Sequence, residues 1–577
     1  MRSWVLKPAT LAVLLAASFI AWTVVHRAQE SAVHYDLLIT HAHILDGTGS
    51  PWFEGSVAVK DGKIADVGRL TGATAKRVID AGGLVVAPGF IDLHSHSDYT
   101  LLVDGTAQSK IRQGVTTEIT GEAASAGPIL GPAAADFDNG TAPLTQKDGI
   151  KRDWTTLGEY LTRVERQGVS VNIASYVGSG QVRLDVMGNV NRAPTADELR
   201  QMEDLVDQSM RGGAIGVASG LIYAPNMFAK TEELVALSRV AARYGGIYTT
   251  HIRGEGSNSV PAIQEAISIG EQAGLPVHIL HFKSNGRENW GRMPELVALI
   301  QSARDRGLDV TADQYPYLAG MTSLEQCLPP KYLEGTADDV VARLRDPKAR
   351  SEIRQDIAHG LPGWDNNEVH DCGGWHGVMV ASCKLPEDKK YEGQRMDGVA
   401  RMMGKDPVDA MCDLLIAEHA TPMAIYFSMS DADVELAMKQ PWVGIGSDGA
   451  AVNPQMEFMG RPHPRFYGTF PRVLGAYVRE KHVLTLPDAV RKMTSLAASI
   501  TGLTDRGLLR AGMAADIVIF DPATVKDRAT FEDPAQYPAG IPYVIVNGTV
   551  VIEKGEHTGA KPGRVLYGRG RNLLNSR

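Results

Sequence analysis

The chain has 577 residues, which is too long for one compact core of usual size, so we expect more than one structural unit. Hydrophobic residues make up 44% and charged residues 22%, as in an ordinary globular protein. A net charge of -9 without any basic stripe argues against nucleic acid as a partner.

The first 30 residues have the pattern of an export segment. Arg2 and Lys7 precede an apolar run from about Thr10 to Val25. The run is short for a membrane-spanning helix and long for the apolar part of a signal peptide. We therefore expect residues 1–30 to be a cleaved signal peptide or a retained membrane anchor. Either would make the protein exported: periplasmic, secreted or attached to the membrane with its main domain outside.

Both ends of the remaining chain are predicted to be β-structure. Asp61-Gly62 separates two alternating apolar runs, which is typical of a hairpin. Near the C-terminus, residues 516–520 and 544–552 have strand patterns, and the second contains an Asn547-Gly548 turn. We predict a small β-sandwich domain made of residues 35–82 and 506–566.

The middle of the chain, residues 83–505, alternates β-rich runs with helical stretches, as a parallel α/β sheet does. Eight strand ends can be counted, which favours a (β/α)8 TIM barrel, with an open doubly wound sheet as the alternative. The last connection is too long for one crossover, so residues 330–419 are predicted to form an inserted helical subdomain. The expected strand ends lie near His94, Gly121, Val177, Ser219, His251, His281, Gln314 and Asp448.

The four cysteines, Cys327, Cys372, Cys383 and Cys412, lie in or near this insertion. No CxxC spacing links them, which argues against a zinc knuckle. Cys372 and Cys383 are close enough in sequence to permit one disulfide, although neither their pairing nor their redox state can be read from sequence.

Two histidines, His94 and His96, follow the first predicted barrel strand. Residues i and i+2 of a strand point to the same side, so both side chains aim at the C-terminal mouth of the barrel, where active sites of this fold lie. Neutral imidazoles at this spacing suit a divalent metal. An isolated His-x-His pair is weak evidence, and its place at a strand end is what makes it informative.

His251 and His281 lie at later strand ends, and we predict that they complete a set of four metal-ligating histidines. The strand pleat turns His278 away from the mouth, so we assign it to packing or hydrogen bonding. The alternative is that all four predicted ligands are core histidines.

Asp448 ends the eighth predicted strand, within the stretch Gly446-Ser447-Asp448-Gly449. A carboxylate here can bind the metal weakly, accept a proton from the water that the metal activates, and donate it to the leaving nitrogen of an amide. The alternative is a turn in which Asp448 caps the next helix.

These residues resemble those of the amidohydrolase superfamily and, within it, the D-aminoacylases (N-acyl-D-amino-acid deacylases). The resemblance spans about residues 36–566. It implies a β-sandwich with a metal-containing TIM barrel, hydrolysis of amide bonds other than peptide bonds, the four predicted histidine ligands, and Asp448 as the catalytic acid. Its most specific stretches are APGFIDLHSH at 87–96, GLIYAP at 220–225, GSDG at 446–449, PHPR at 462–465 and GTFPR at 468–472.

Position 122 departs from that family. D-aminoacylases have a cysteine after the second strand, in a Gly-Asn-Cys-Gly context, whereas residues 120–125 here are TGEAAS. The fourth strand, at residues 216–219, offers no lysine that carboxylation could turn into a bridge between two metals. A carboxylate can bridge two cations, so Glu122 is our candidate bridging ligand, and a buried or salt-bridged Glu122 is the alternative. Oxygen in place of sulfur favours harder ions. We expect Zn²⁺, as one or two ions.

In the family, a lysine and a Tyr-Pro-Tyr stretch help to hold the substrate's carboxylate. Lys283 and residues 315–317 match them, although a surface salt bridge would also explain Lys283. The family's small hydroxyl residues after Tyr-Pro-Tyr are not matched, because residues 319–322 are AGMT. This leaves specificity for D-aminoacyl substrates open. The substrate-binding candidates are Lys283, Tyr223, Tyr315 and Arg253, with Arg465 and Arg472 as further arginines that packing would explain equally well.

The leading hypothesis is a hydrolase of N-acyl-amino acids, with D-substrates or small peptide-like amides as its small-molecule partners. The alternative within the same chemistry is a cyclic-amide hydrolase, acting on hydantoins or dihydroorotate, or a dipeptidase. A third hypothesis is a non-catalytic scaffold that has kept the fold. Retention of all four histidines and of Asp448 argues against the scaffold, since a degenerate homologue is expected to lose ligands first.

Overall fold

The structure is a computed structural model that describes residues 34–574, except residues 132, 136 and 139–149. The expected export segment, residues 1–30, lies outside the described residues. Within the described part of the chain, no helix combines the length and the apolar character that crossing a membrane requires.

Eight short parallel strands form the expected TIM barrel. The barrel closes between its first and last strands, where the Leu93 amide donates to the Ile445 carbonyl at 3.4 Å and a parallel bridge pairs Ser95 with Gly449. This closure rules out the open doubly wound sheet. In chain order the strands are Phe90–Asp92, Val115–Thr120, Asn172–Ser175 continued by Val177–Gly178, Gly216–Gly220, Ile247–His251, Val277–Ile279, Val310–Gln314 and Val443–Ile445.

The barrel strands are buried along their whole length, because side chains fill the inside of the barrel and helices cover the outside. Several helices begin at a side chain that caps the free backbone amides of the first turn, as Thr156 and Thr195 do with the glutamate three residues later. The helices around the barrel are Thr100–Val103, Gln108–Ile111, Leu157–Gln167, Ser179–Met187, Ala196–Gly212, Thr231–Ala242, Ser259–Ala273, Met293–Asp305, Asp431–Lys439, Arg465–Arg472, the π-helical Val473–Glu480, Leu486–Met493, Ser495–Thr501 and Arg569–Leu574.

A second domain is a nine-stranded sheet made from both ends of the chain. Val85–Pro88 joins the two ends, since it pairs parallel with His34–Ile44 and antiparallel with Ile517–Phe520. The sequence had placed Val85–Pro88 with the barrel, and it leads directly into the first barrel strand. The sheet encloses its own apolar core, which includes Ile39, Val57 and Ile545. Its strands are His34–Ile44, Phe53–Lys60, Lys63–Gly68, Thr74–Asp80, Val85–Pro88, Ile517–Phe520, Tyr543–Val546, Thr549–Glu553 and Glu556–His557.

The insertion between the seventh and eighth barrel strands is a mixed α/β subdomain, where the sequence predicted a helical one. Its antiparallel sheet has the strand order Gly320–Ser323, Met423–Tyr426, Val378–Ser382. The subdomain has its own apolar core, which the barrel core does not share. Its helices are Ala337–Leu344, Pro347–His359, Glu368–Asp371, Met396–Met403 and Pro407–Ala417.

The disulfide that the sequence permitted does not form, because all four cysteines are buried free thiols. Cys372 precedes the strand Val378–Ser382 in the chain, and Cys383 follows it. Five extended residues span roughly 16 Å, far more than the ~7 Å over which two Cα atoms can be bridged.

Candidate metal centre

The C-terminal ends of the first, second and eighth barrel strands bring four side chains together. His94 Nε2 lies 2.8 Å from Glu122 Oε2, and His96 Nε2 lies 3.2 Å from the same oxygen. His96 Nε2 is also 3.0 Å from Asp448 Oδ1. We call His94, His96, Glu122 and Asp448 the first ligand group. One ligand atom from each lies within 4.8 Å of the others, as binding one ion requires.

The fifth and sixth strands supply a second ligand group, which consists of Glu122, His251 and His281. His251 Nδ1 lies 3.6 Å from Glu122 Oε1, and the ring centroids of His251 and His281 are 4.4 Å apart. Glu122 therefore belongs to both groups, with Oε2 facing the first and Oε1 facing the second.

The backbone at the strand ends is held in an uncommon conformation. His281 has a φ of 35° and Asp448 a φ of 51°, both in the left-handed region that non-glycine residues seldom adopt. Hydrogen bonds fix these turns, since the His281 amide donates to Asp313 Oδ1 at 2.9 Å and the Asp448 amide donates to the His94 carbonyl at 2.8 Å. Such strain persists where the surrounding structure over-determines it, and it concentrates at functional sites.

A buried ion pair beneath the first ligand group joins the first and eighth strands. The Lys110 ammonium donates to Asp92 Oδ2 at 2.6 Å, and neither side chain is exposed to solvent. Asp92 Oδ1 accepts the Ser447 amide at 2.8 Å. Since Asp92 precedes His94 by two residues and Ser447 precedes Asp448, this network fixes the separation of a histidine and a carboxylate of the first group. Asp92 was visible within the family stretch, but no signal in the sequence pointed to Lys110.

The donor atoms fit a divalent cation. Both ring nitrogens of the buried His251, together with Glu122 Oε1 and His94 Nδ1, lack a hydrogen-bond partner in the described part of the chain. Buried polar atoms without partners are costly, and Glu122 Oε1 and His251 Nδ1 face each other at 3.6 Å, so these two atoms indicate a missing ligand between them. Imidazole nitrogen and carboxylate oxygen are donors that Zn²⁺ accepts.

The electrostatics favour positive charge at the first group and neutral imidazole at the second. Burial opposes protonation of His94, but Asp448 and Glu122 outweigh it and raise the pKa of His94. At His251, burial lowers the pKa to about 3 even though Glu255 opposes the shift. His251 is therefore neutral, the form in which imidazole binds metal.

Asp448 is ionised. Burial alone would raise the pKa of its carboxyl, but Arg465 and His94 hold it well below its usual range. The Arg465 guanidinium is almost fully buried, and its Nη1 lies 2.9 Å from Asp448 Oδ2. An ionised carboxylate can accept a proton at the floor of the site.

A cavity of about 650 Å³ opens above the first ligand group. Tyr223 and Arg465 line it, as do His96, Glu122 and Asp448. Its remaining wall is largely apolar, apart from Lys384 and several neutral polar side chains, and comes from the barrel loops, the insertion and the segment after the eighth strand. The apolar residues in that part of the wall include Met321, Met423, Phe458, Met459 and Phe466.

The other predicted substrate residues lie outside the lining of this cavity. Lys283 is buried, and its Nζ donates to Glu255 Oε1 at 2.6 Å. Tyr315 is buried behind Arg465, with the guanidinium carbon 4.9 Å from its ring centroid.

Arg253 was wrongly predicted to face the site. It lines a different cleft, where its guanidinium pairs with Glu265 through two hydrogen bonds of 2.8 and 2.9 Å and also donates to the carbonyls of Met227 and Ala229. The loop after His251 turns this side chain outward, and its donors are already engaged.

His278 faces away from both ligand groups. Its two ring nitrogens bond Thr311 Oγ1 and Asp313 Oδ2, each at 2.9 Å.

Glu255, four residues after His251, was not predicted from the sequence. The signal that could have found it was a carboxylate so soon after a predicted ligand. Of the two further arginines, Arg465 lies in the cavity, whereas Arg472 bonds Asp527 and the Pro316 carbonyl.

The closed barrel, the histidines at its strand ends and the shared carboxylate define a metal-binding hydrolase of the amidohydrolase type. The chain belongs to the amidohydrolase family, whose model matches residues 77–552. It is similar to a D-aminoacylase from Alcaligenes xylosoxydans xylosoxydans, with 38% identity over 93% of this chain and 99% of that protein. An N-acyl-D-glutamate deacylase and an N-acyl-D-aspartate deacylase from the same organism are 34% and 36% identical, over 96% and 95% of their lengths.

Solved structures agree with these relatives. A crystal structure of D-aminoacylase superposes with a TM-score of 0.77 at 36% identity, covering 92% of this chain and all of that one. An N-acyl-D-glutamate deacylase from Bordetella bronchiseptica, solved with zinc and a phosphonate mimic of the tetrahedral intermediate, superposes with the same TM-score at 32% identity and the same coverage. The resemblance inferred from the sequence motifs is confirmed, as is the fold it implied.

Proposed function

We propose that this protein is a metal-dependent amidohydrolase that removes the acyl group from N-acyl-D-amino acids, releasing a carboxylate and a D-amino acid. The observation that carries the proposal is Glu122, whose two oxygens join two histidine groups at the floor of a substrate-sized cavity. The relatives support the substrate class, since the three described above are named for deacylation of D-amino acids or as D-aminoacylase.

Zn²⁺ suits both ligand groups, as one or two ions. When bound, it lowers the pKa of water and polarises the amide carbonyl. The residues that would hold it are His94, His96, Glu122 and Asp448 in the first group, and Glu122, His251 and His281 in the second.

Asp448 handles the proton. Its carboxylate is ionised and lines the cavity, so it can accept a proton from the attacking water. It then delivers that proton to the nitrogen that leaves as the amine. A positioned acid/base of this kind contributes about 10²–10⁴-fold to the rate.

Arg465 is the anchor for the substrate's carboxylate. It lines the cavity, and its Nε has no hydrogen-bond partner among the described residues. A guanidinium presents a planar fork that matches a carboxylate. Arg465 takes the role that the sequence offered to Lys283, because Glu255 already holds the Lys283 ammonium. Tyr223, whose ring centroid is 5.3 Å from that of His251, faces the substrate from the other side.

The cavity wall favours apolar substrates. Met321 lies next to the anchor, since Arg465 Nη2 donates to its carbonyl at 3.1 Å. It belongs to the stretch 319–322, which lacks the small hydroxyl residues of the family. Methionine side chains adapt their shape to apolar groups, and neither methionine nor phenylalanine offers a carboxylate a partner. We therefore expect neutral, apolar D-amino acids to be preferred over D-glutamate and D-aspartate.

The test is a panel of N-acyl-D- and N-acyl-L-amino acids, assayed with the Zn²⁺-loaded and the metal-stripped enzyme. We expect hydrolysis of the D-series only with metal, and faster for leucine or methionine than for glutamate. Hydantoin and dihydroorotate belong in the same panel. Turnover of these cyclic amides without turnover of the D-series would refute the proposal and favour the cyclic-amide alternative.

We also propose that the protein is exported, on the basis of Arg2, Lys7 and the apolar run that follows them. Cell fractionation followed by N-terminal sequencing tests this. A shortened N-terminus in a soluble exported fraction indicates a cleaved signal, an intact N-terminus in the membrane fraction indicates an anchor, and an intact cytoplasmic protein contradicts export.

A further inference from the structure

Glu255 lies beside the two histidines of the second ligand group. Its Oε1 is 3.0 Å from His281 Nδ1, and its Oε2 is 3.5 Å from His251 Nε2. Glu122 approaches the same His251 ring at the other nitrogen, Nδ1. Each carboxylate therefore faces a different nitrogen of His251. Glu255 is 5% exposed, so solvent does not compete for its oxygens.

We propose that Glu255 is the positioning residue of the second ligand group, which orients His251 and His281 together and fixes which nitrogen of each ring is free for a cation. An imidazole that donates one N–H to a carboxylate presents the lone pair of its other nitrogen. For His251 the free nitrogen is Nδ1, which faces Glu122, and for His281 it is Nε2. This inference rests on the proposed metal-dependent function.

The two contacts differ in length. The 3.0 Å approach to His281 is a normal hydrogen-bond length, whereas the 3.5 Å approach to His251 is about half an ångström longer than one. Polar contacts of this kind tighten when a site is filled.

The Lys283 ammonium explains why His281 needs the Glu255 carboxylate beside it. Its ammonium is 2.8 Å from His281 Nδ1 and 2.6 Å from Glu255 Oε1. An ammonium only donates, so if His281 Nδ1 accepted from Lys283, the ring proton would sit on Nε2 and block the cation. Glu255 Oε1 lies within hydrogen-bond distance of both nitrogens, so it can accept the His281 Nδ1 proton as well as pair with the ammonium, and in that arrangement Nε2 stays free.

The test compares zinc binding by the wild-type protein and by Glu255→Gln. Zinc per chain is measured by elemental analysis across a titration, and anomalous scattering from zinc-soaked crystals locates each ion. We expect the wild type to fill both groups. In Glu255→Gln we expect the affinity of the second group to fall about 10–100-fold, as is usual when a metal-ligating histidine loses its carboxylate partner. The first group should keep its ion.

Two further variants separate positioning from general damage. Glu255→Gln leaves the buried Lys283 ammonium without its countercharge, so the double variant Glu255→Gln/Lys283→Met removes both charges and must show the same selective loss. Glu265→Gln removes a nearby carboxylate that pairs with Arg253 instead of the histidines, and it should leave both groups filled.

Full occupancy of the second group in Glu255→Gln would overturn the inference. So would equal weakening of both groups, which would indicate loss of structure. A wild type that fills the first group alone and still hydrolyses amides would overturn the inference but leave the proposed function standing. A wild type that binds no zinc would refute both.

Discussion

Asp448 combines two side-chain contacts with an uncommon backbone conformation. Its carboxylate meets His96 at 3.0 Å and Arg465 at 2.9 Å, and its backbone is held at a positive φ. The first contact places it among the ligands, and the second keeps it ionised and beside the proposed substrate anchor. A carboxylate in this position is therefore poised to take a proton in the course of the reaction.

We expect Asp448→Asn to lower kcat by about 10²–10⁴-fold while zinc remains bound, because an amide of the same size cannot carry the proton. Steady-state kinetics and zinc content measured on the same preparation check this. Asp305→Asn, at the exposed end of the helix Met293–Asp305, is the matched control and should leave kcat unchanged. Wild-type turnover in Asp448→Asn would contradict the assigned role.

Among the elements around the barrel, the helix Ser179–Met187 contains a buried acid that has no part in the proposed chemistry. Asp185 is 8% exposed and accepts the Leu130 amide at 2.9 Å, while its other oxygen has no hydrogen-bond partner among the described residues. Burial raises the pKa of Asp185 to about 7. The folded protein therefore holds a proton there that the unfolded chain releases above about pH 4.

The sign of the pH dependence follows from this shift. Between about pH 4 and pH 7 the folded state binds more protons than the unfolded state, so raising the pH lowers the free energy of unfolding. Asp185→Asn keeps an acceptor for Leu130 and has no charge to bury. We expect its melting temperature to exceed the wild-type value at pH 8, and the difference to vanish near pH 4. Thermal melts at both pH values check this, and a constant difference would contradict it.

Over the whole molecule, stability comes from apolar cores and not from disulfide cross-links. The insertion has a core of its own, and one face of the two-ended sheet has another. The other face of that sheet, which includes Val85, Val518 and Phe520, packs into the barrel core, and the cysteines contribute buried thiols to the insertion. Burial raises the pKa of Cys383 and of Cys412 to about 12, which keeps these thiols protonated and unreactive at neutral pH.

We expect a thiol-reactive dye to label none of Cys327, Cys372 and Cys412 in the native protein and all four cysteines after denaturation, without any reducing agent. A reducing agent should leave the melting temperature unchanged. If only two thiols appeared after denaturation, a disulfide would exist, and the distance argument against pairing Cys372 with Cys383 would fail.

The sequence by itself determined the strands of the barrel and the residues at their ends. Buried parallel strands are short apolar runs separated by helical stretches, and the mouth of a barrel gathers whatever follows each run, so His94, His251 and Asp448 could be placed together in advance. The β-domain was also readable, because an Asp-Gly or Asn-Gly turn between alternating runs is a local signal.

Only the tertiary structure decided which charged side chains reach the site. Arg253 lies two residues after a predicted ligand and yet points outward to Glu265, whereas Arg465 comes from a later helix and meets Asp448. The same holds for Glu255, in the loop after the fifth strand, and for Lys110, in the helix Gln108–Ile111, since each meets partners from other parts of the chain. Periodicity fixes the face of one element, but the direction of a loop side chain depends on partners that only the packed chain brings near.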